Sequence, residues 1–349
     1  MVQTRQWILS NRPSGLPVLD GPDATFTLQN AELGPVENDH ILVKTTFLSN
    51  DPAQRGWLRD LEDPSRLYVP PVQVGSVMRA RGLAEVIESS SSKFNKGDVV
   101  IAPTGWSEQL VVPASACQSA LPLPKDLNVT HYLGALGLTG LTAYFGLTGV
   151  ARAAKDDVVV ISGAAGATGS MAVQISKNLL GCKRVIGIAG SDSKCRWVES
   201  LGADVCLNYK SASFASDLKK ETPDFADVYF DNVGGEILDL MLTRMARNGR
   251  VAACGAISNY NSSGEAITGL KNWFEVVSMR IEIKGFIVLD FAAKFAEAID
   301  LLKKGVEDGK LQVGDEGEHI VEAGFESVPK VWMGLFEGSN QGKLLTKIK

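Results

Sequence analysis

The sequence predicts an α/β protein in which a doubly wound parallel sheet is joined to a compact all-β domain. Two observations predict this fold class. In the second part of the chain strand-like runs alternate with helix-like segments, and in the first part short β-like runs are separated by glycine and proline. Such alternation is typical of a parallel sheet covered by helices on both faces. A chain of 349 residues normally divides into two domains.

The first part of the chain carries the turn-separated β pattern. Its apolar runs predict strands at 40–45, 83–87 and 99–102, and the tail predicts two more at 318–321 and 343–348. Because the tail has the same β character, we expect it to return to the first domain. The predicted domains are residues 1–130 with 306–349, and residues 131–305.

The second part carries the alternating pattern. Its near-continuous apolar runs are those expected of strands that helices cover on both faces. The predicted strands are 158–162, 184–189, 205–208, 227–230 and 251–254, and the predicted helices are 168–180, 192–201, 212–221, 236–246 and 292–304.

Composition limits the partners and the location that we expect. The formal net charge is −5, which argues against nucleic acid or an anionic membrane as a partner, because both attract basic patches. No apolar run reaches the roughly 18–20 residues that span a bilayer, and the polar N-terminal segment is unlike a signal peptide. The five cysteines are scattered, which favours free thiols and a cytoplasmic location.

A glycine-rich turn follows the first strand of the alternating series. Glycines there let the backbone approach a pyrophosphate, and the helix that follows offers N–H groups and the positive end of its dipole. The spacing is G-x-x-G-x-x-G, and its position at the first βα turn predicts dinucleotide binding. The residues assigned to this loop are Gly163, Ala165, Gly166, Ala167, Thr168 and Gly169.

The end of the second strand indicates which nicotinamide cofactor is bound. NAD-specific sites usually place a carboxylate there, whereas this strand runs into Gly190 and Ser191, with Asp192 only afterwards. Lys194 is positioned to meet a 2′-phosphate, although a solvated surface lysine is the alternative, and Tyr209 offers a hydroxyl. These features predict NADP(H).

The sequence contains no recognisable metal site. His40, His131 and His319 are isolated, and Cys117 is the only cysteine of the first domain, whereas catalytic zinc needs three protein ligands. Without a metal, hydrogen-bond donors must polarise the substrate oxygen.

These motifs, together with others, resemble the zinc-independent medium-chain dehydrogenase/reductases of the prostaglandin reductase/leukotriene B4 dehydrogenase-like group, which includes plant alkenal double-bond reductases. The matching segments are 48–55 (LSNDPAQR), 74–80 (VGSVMRA), 136–144 (LGLTGLTAY), 163–170 (GAAGATGS), 231–235 (DNVGG), 254–261 (CGAISNYN) and 338–343 (GSNQGK). The resemblance implies a GroES-like domain and a Rossmann domain with the active site in the cleft between them. It also implies a homodimer joined through the Rossmann sheets near 280–286.

The resemblance further implies NADPH/NADP as cofactor and reduction of a C=C bond conjugated to the carbonyl of a ketone or aldehyde. It adds to the cofactor site Ser191, Asn232, Cys254, Gly255, Ala256, Ile257, Tyr260, Phe286, Ile287, Val288 and Asn340. It places in the substrate pocket Asn50, Ala53, Tyr68, Tyr260 and Phe286. The group usually has bulky residues after Asp-Pro, so Ala53 predicts a wider pocket.

Tyr260 resembles the proposed proton donor of the group. Support of the cofactor is its alternative role, with water or the ribose hydroxyl as the acid. The same fold also suits a carbonyl or quinone reductase or an alcohol dehydrogenase, and, more distantly, a non-catalytic NADPH-binding protein.

Overall fold

The computed structural model describes residues 2–59, 63–262, 267 and 269–349. The chain folds into two compact units. The first is formed by Met1–Leu123, Asn128–Leu133 and His319–Lys349, and the second by Pro124–Leu127 and Gly134–Glu318.

The strands and helices are numbered in chain order. The strands are β1 (Val2–Leu9), β2 (Phe26–Leu33), β3 (His40–Ser49), β4 (Gly82–Ser89), β5 (Val99–Ala102), β6 (Gln109–Pro113), β7 (Gln118–Ser119), β8 (Val158–Ser162), β9 (Arg184–Ala189), β10 (Val205–Asn208), β11 (Ala226–Asp231), β12 (Met245–Ala253), β13 (Glu282–Gly285), β14 (Glu318–Ala323) and β15 (Lys343–Ile348). The helices are α1 (Leu138–Phe145), α2 (Ala167–Gln174), α3 (Asp192–Ser200), α4 (Phe214–Glu221), α5 (Gly235–Leu242), α6 (Phe274–Ser278), α7 (Phe295–Glu307) and α8 (Val328–Glu337).

The first unit is built on antiparallel strands. β1 pairs with β2, and a larger sheet has the order β14-β15-β3-β4-β5-β7, with β6 also paired to β3. The C-terminal strands therefore lie in the same sheet as β3. Phe26, Trp106 and Trp332 form the centre of its core, with ring centroids 4.8–6.0 Å apart. Trp332 belongs to α8, a helix that the sequence patterns did not predict.

The second unit contains a parallel sheet of order β10-β9-β8-β11-β12-β13. The chain fills the sheet outward from β8 in one direction and from β11 in the other. Ligands of such sheets bind beyond the carboxyl ends of the strands, where the order reverses. The glycine-rich turn follows β8, so it lies at this position. The predicted fold class is confirmed.

One helix ends earlier than predicted. α5 stops at Leu242 rather than 246, and β12 begins at Met245, six residues before the predicted strand. The backbone of Arg244 already belongs to the sheet, because its carbonyl accepts the Ala226 N–H at 2.9 Å. Pairing with β11 therefore ends the helix.

Two further features concern the described ranges alone. No helix within them combines the length and the hydropathy needed to cross a bilayer. All five cysteines are free thiols.

Candidate functional site

The glycine-rich turn brings α2 very close to the end of β8. Gly163 has φ +58°, and its carbonyl accepts the Gly166 N–H at 2.9 Å. A Cβ at Gly169 would lie 2.2 Å from the Gly163 oxygen, so only glycine fits there. The predicted role of Gly169 in close helix–strand packing therefore has a direct geometric reason. Gly166 caps α2, whose N terminus offers N–H groups and a positive dipole end to an anion.

A buried carboxylate supports the loops beside this turn. Asp231, at the end of β11, is 1% exposed, and its Oδ1 accepts four hydrogen bonds. The donors are the hydroxyls of Ser162 (3.1 Å) and Tyr229 (2.9 Å) and the N–H groups of Val233 (3.0 Å) and Gly234 (2.9 Å). Burial raises the pKa of Asp231, while these hydrogen bonds favour its charged form and partly offset that effect.

Asn232 joins the turn to two other loops. Its N–H donates to the Ser162 hydroxyl at 3.0 Å, and its side-chain amide donates to the Ser162 carbonyl at 2.7 Å. Its own carbonyl accepts the Ile257 N–H at 3.4 Å, and the Cys254 N–H donates to the Asp231 carbonyl at 2.9 Å. The predicted cofactor residues after β8, β11 and β12 are thus brought together. Burial and the nearby Asp231 carboxylate raise the pKa of the Cys254 thiol to about 12.

The hydroxyl of Tyr260 lies against the start of its own loop. It accepts the Ala256 N–H at 3.3 Å. A Cβ at Gly255 would lie 3.1 Å from this hydroxyl, so glycine makes room for it. This hydrogen bond holds the predicted residues Gly255, Ala256 and Tyr260 in one short loop. The tyrosine oxygen is its acceptor.

A second cluster forms beyond β9 and β10. Ser191 caps α3, and its hydroxyl accepts the Lys194 N–H at 3.3 Å. The Tyr209 ring lies over Gly190, where a Cβ would be 3.1 Å from the ring edge. The Lys210 ammonium lies 5.9 Å from the centroid of that ring. Burial, and then the charge of Lys210, lower the pKa of Lys194.

Asp192, the carboxylate next to this cluster, is hydrogen-bonded to another side chain. The Asp192 carboxylate accepts the side-chain amide of Asn208 at 2.7 Å. Lys194, Lys210 and Tyr209 lie together at the place where an NAD-specific site usually has a carboxylate. Sequence reasoning found Lys194 and Tyr209 but missed Lys210, whose position directly after Tyr209 was the available signal.

The segment after β13 contacts the π-helical turn at Gly146–Val150 that continues α1. Phe286 packs edge-on against Phe230, with centroids 6.3 Å apart, and a Cβ at Gly146 would lie 2.7 Å from its ring. Ile287 is extended, and Val288 joins the apolar cluster around Phe145.

The remaining predicted residues lie in the first unit. The buried Asn50 donates from its amide to the Thr346 hydroxyl at 2.9 Å. Ala53 lies in the 3-10 turn Pro52–Leu58. Tyr68 is 47% exposed and accepts the indole N–H of Trp57 at 2.9 Å. Asn340 donates to the Gly342 carbonyl at 3.0 Å. Their roles toward cofactor and substrate stay predictions, as do those of the second unit.

Sequence reasoning also missed Ser162 and Asp231, which hold the loops rather than line them. The signal for Ser162 was a polar residue ending an apolar strand, and for Asp231 it was the position before Asn232. In the part of the chain that the structure describes, no three His, Cys, Asp or Glu side chains are grouped as metal ligands.

Comparison with known families gives two matches. A model described as the N-terminal domain of oxidoreductase matches residues 5–120, and one described as zinc-binding dehydrogenase matches residues 167–304. Together they cover parts of both units.

Individual proteins match over nearly the whole chain. Prostaglandin reductase 1 of Bos taurus is 36% identical, over 99% of this chain and 100% of its own length. The 2-alkenal reductase (NADP(+)-dependent) of Nicotiana tabacum is 34% identical, over 99% and 98%. The crystal structure of CurA in complex with NADPH from Vibrio vulnificus has a TM-score of 0.87 and 31% identity, over 99% of each chain.

Proposed function

This chain belongs to the prostaglandin reductase and alkenal reductase group of the medium-chain dehydrogenase/reductases, and from that membership we propose that it reduces the C=C bond of α,β-unsaturated ketones and aldehydes. Its broader activity is that of an NADP(H)-dependent oxidoreductase of the type that acts on C=C bonds. The finer proposal concerns the substrate class, the proton donor and independence from metal.

The observation that supports the proposal is the arrangement of the loops at the carboxyl end of the parallel sheet in the second unit. Gly169 lets α2 pack closely on the Gly163 carbonyl, and the N terminus of α2 beside this turn would hold the pyrophosphate. Lys194, Lys210 and Tyr209 gather where the extra 2′-phosphate of NADPH would be held. Asn232 and the loop from Cys254 to Tyr260 would contact the nicotinamide half.

When bound in this site, NADPH would supply the hydride, from C4 of its nicotinamide, that reduction of the substrate β-carbon requires. Negative charge then develops on the substrate carbonyl oxygen, where a hydrogen-bond donor lowers the barrier. Protonation of the α-carbon completes the reduction.

We assign the donor role to the hydroxyl of Tyr260. The Ala256 N–H donates to the phenol oxygen, so that bond occupies a lone pair and not the phenolic proton. The same N–H would stabilise the negative charge on the oxygen once the proton is given away. The backbone therefore supports the tyrosine as a hydrogen-bond donor and as an acid.

Product analysis tests the reaction class. Incubation with NADPH and 4-phenylbut-3-en-2-one should give the saturated ketone, with deuterium at the β-carbon when the nicotinamide C4 hydride is labelled. The allylic alcohol as product would instead identify a carbonyl reductase. NADPH binding without oxidation across enones, quinones and aldehydes would identify a non-catalytic protein. Activity should also survive prolonged treatment with a chelator, and its loss, restored by zinc, would overturn the proposal of metal independence.

We further propose a homodimer joined through β13. This strand is the edge of the parallel sheet, so its outer backbone groups are positioned to pair with a second sheet. The neighbouring helix α6 and the residue before it present exposed apolar side chains, namely Trp273, Phe274 and Val277. An edge strand beside an apolar patch is typical of a two-fold contact.

A further inference from the structure

A pocket lies at the opposite end of the parallel sheet from the glycine turn. It has a volume of about 540 Å³ and is lined by Ser216, Lys219, Lys220, Pro223, Phe225 and Arg244. Phe225 and Arg244 directly precede β11 and β12, whereas Asp231 and the loops described above follow these strands. The length of β11 places the two regions roughly 16 Å apart, at about 3.3 Å per residue. The pocket is therefore separate from the candidate cofactor site.

Three cationic side chains line this pocket, namely Lys219, Lys220 and Arg244. No carboxylate of the described part of the chain lies within ion-pair distance of Lys219, Lys220 or Arg244, although the adjacent Glu221 pairs with Arg184. Burial lowers the pKa of Arg244, and no carboxylate offsets this effect. Asp217 and Asp224 are the other carboxylates nearby along the chain, and neither forms an ion pair with these cations.

Arg244 is held in place before any ligand arrives. Its Nε donates to the Thr222 hydroxyl at 2.9 Å, and its Nη2 donates to the Thr222 carbonyl. The guanidinium lies 4.6 Å from the centroid of the Phe225 ring, in a cation–π contact. Two of the five N–H donors are used by Thr222, so the fixed guanidinium retains donors for an anion.

Phe225 adopts a backbone conformation that bulky residues avoid. Its φ is +67°, in the left-handed region, and its side chain is nevertheless 38% exposed. Such a conformation is unfavourable for a bulky residue and persists where the surroundings impose it, often at functional sites. Here it presents a flat apolar surface beside the three cations. The helix dipole of α4 explains lysines near its C terminus, but it explains neither the fixed arginine nor the exposed ring.

We propose that this pocket binds a small anion joined to a flat apolar body, a phosphate ester or a carboxylate of an aromatic or acyl group. The anionic group contacts Arg244 and the two lysines, and the apolar body lies on Phe225 and Pro223. The pocket is an open surface groove rather than an enclosed cavity, so a bound ligand would stay partly exposed. The site is additional to the proposed function, and NADPH does not compete for it.

Calorimetric titration of the full chain with phenyl phosphate tests this proposal. We expect saturable binding that persists with saturating NADPH, weaker binding of inorganic phosphate, and none of benzyl alcohol. Phenylacetate, titrated in parallel, distinguishes a phosphate site from a carboxylate site. Absence of saturable binding by both aryl anions, or displacement of the bound anion by NADPH, would overturn the proposal.

Two variants separate the parts of the site. Phe225→Gly removes the ring at a position where glycine is unstrained, while Thr222 still holds Arg244, so it should weaken phenyl phosphate at least fivefold and inorganic phosphate by a clearly smaller factor. Lys219→Glu with Lys220→Glu should weaken both at least tenfold, whereas Lys310→Glu, on an exposed lysine elsewhere, should change neither. Thermal melting confirms that the variants are folded. If phenyl phosphate bound to all of these variants as tightly as to the wild type, the assignment of the pocket would be wrong.

Discussion

The hydrogen bond between the Ala256 N–H and the Tyr260 hydroxyl gives one side chain two tasks, support of a loop and donation to the substrate. Tyr260→Phe removes both the bond and the proton. Loss of a neutral hydrogen bond costs about 1 kcal/mol, whereas loss of a general acid lowers the rate about 100-fold or more. We therefore expect kcat to fall about 100-fold while NADPH affinity changes no more than about fivefold.

Rate–pH profiles and NADPH titrations of both proteins measure this split. A loop-supporting role alone would weaken NADPH and spare kcat. An unchanged rate would assign the proton to water or to the ribose hydroxyl instead.

The two lysines beside Tyr209 are expected to discriminate NADPH from NADH. A charge-assisted hydrogen bond contributes about 1.5–3 kcal/mol, so Lys194→Ala should weaken NADPH roughly 10- to 100-fold and NADH hardly at all. Lys210→Ala should act in the same direction with a smaller effect, because its ammonium also lies over the Tyr209 ring. Direct titrations with both cofactors provide the measurement. Equal weakening of the two would exclude a 2′-phosphate role.

Proton uptake provides an independent test of Lys194. Burial and Lys210 lower the pKa of the free lysine, and a bound 2′-phosphate raises it by favouring the ammonium. At pH values between the pKa of Lys194 in the free protein and its pKa in the complex, NADPH binding therefore takes up a proton. The affinity for NADPH falls as the pH rises through the lower of these pKa values. Calorimetry in buffers of different ionisation enthalpy measures this uptake. NADH, which lacks the phosphate, is the control, and the same uptake with NADH would contradict the assignment.

At the scale of elements, the start of α2 and the turn before it fit together because Gly169 has no side chain. Gly169→Ala would place its Cβ 2.2 Å from the Gly163 oxygen, and ordinary contact requires α2 to move by more than about 1 Å. We expect NADPH affinity to fall at least tenfold and the melting temperature to decrease. Gly34→Ala, where a Cβ meets open space, should change neither. Wild-type NADPH affinity in Gly169→Ala would show that the cradle is not the cofactor site.

The elements differ in how far the sequence predicts them. Strands β8, β9 and β10 and the glycine turn follow from local patterns, since apolar runs and glycine spacing act over a few residues. The hydrogen bonds of Asp231 do not follow, because Ser162 and Asp231 are 69 positions apart and meet only through the pairing of β8 with β11. The early end of α5 has the same origin, in contacts between strands.

At the scale of the whole molecule, the contrast between local patterns and contacts between distant segments also explains which site residues were predicted. The ends of the second and third strands of the alternating series identify Lys194 and Tyr209, and the family resemblance identifies Tyr260. The basic pocket beside Phe225 escapes such reasoning, since it is assembled from the ends of α4 and α5 and belongs to no motif. Both ends of the parallel sheet thus present positive groups in a chain of net negative charge, and the glycine-rich motif lies at the carboxyl end.

The edge of the parallel sheet at β13 predicts that two copies of the chain associate there. Phe274 is 74% exposed and Val277 is 60% exposed beside the edge strand β13. Burying two such side chains contributes roughly 1.5–3 kcal/mol each, and a carboxylate there would have to be desolvated. Phe274→Glu with Val277→Glu should therefore convert a dimer into monomers at micromolar concentration, as measured by sedimentation equilibrium. Leu121→Glu, at a residue that is 61% exposed in the first unit, is the matched control and should leave the mass unchanged. A wild-type mass equal to one chain, or a double variant that still sediments as a dimer, would show that this edge is not the interface.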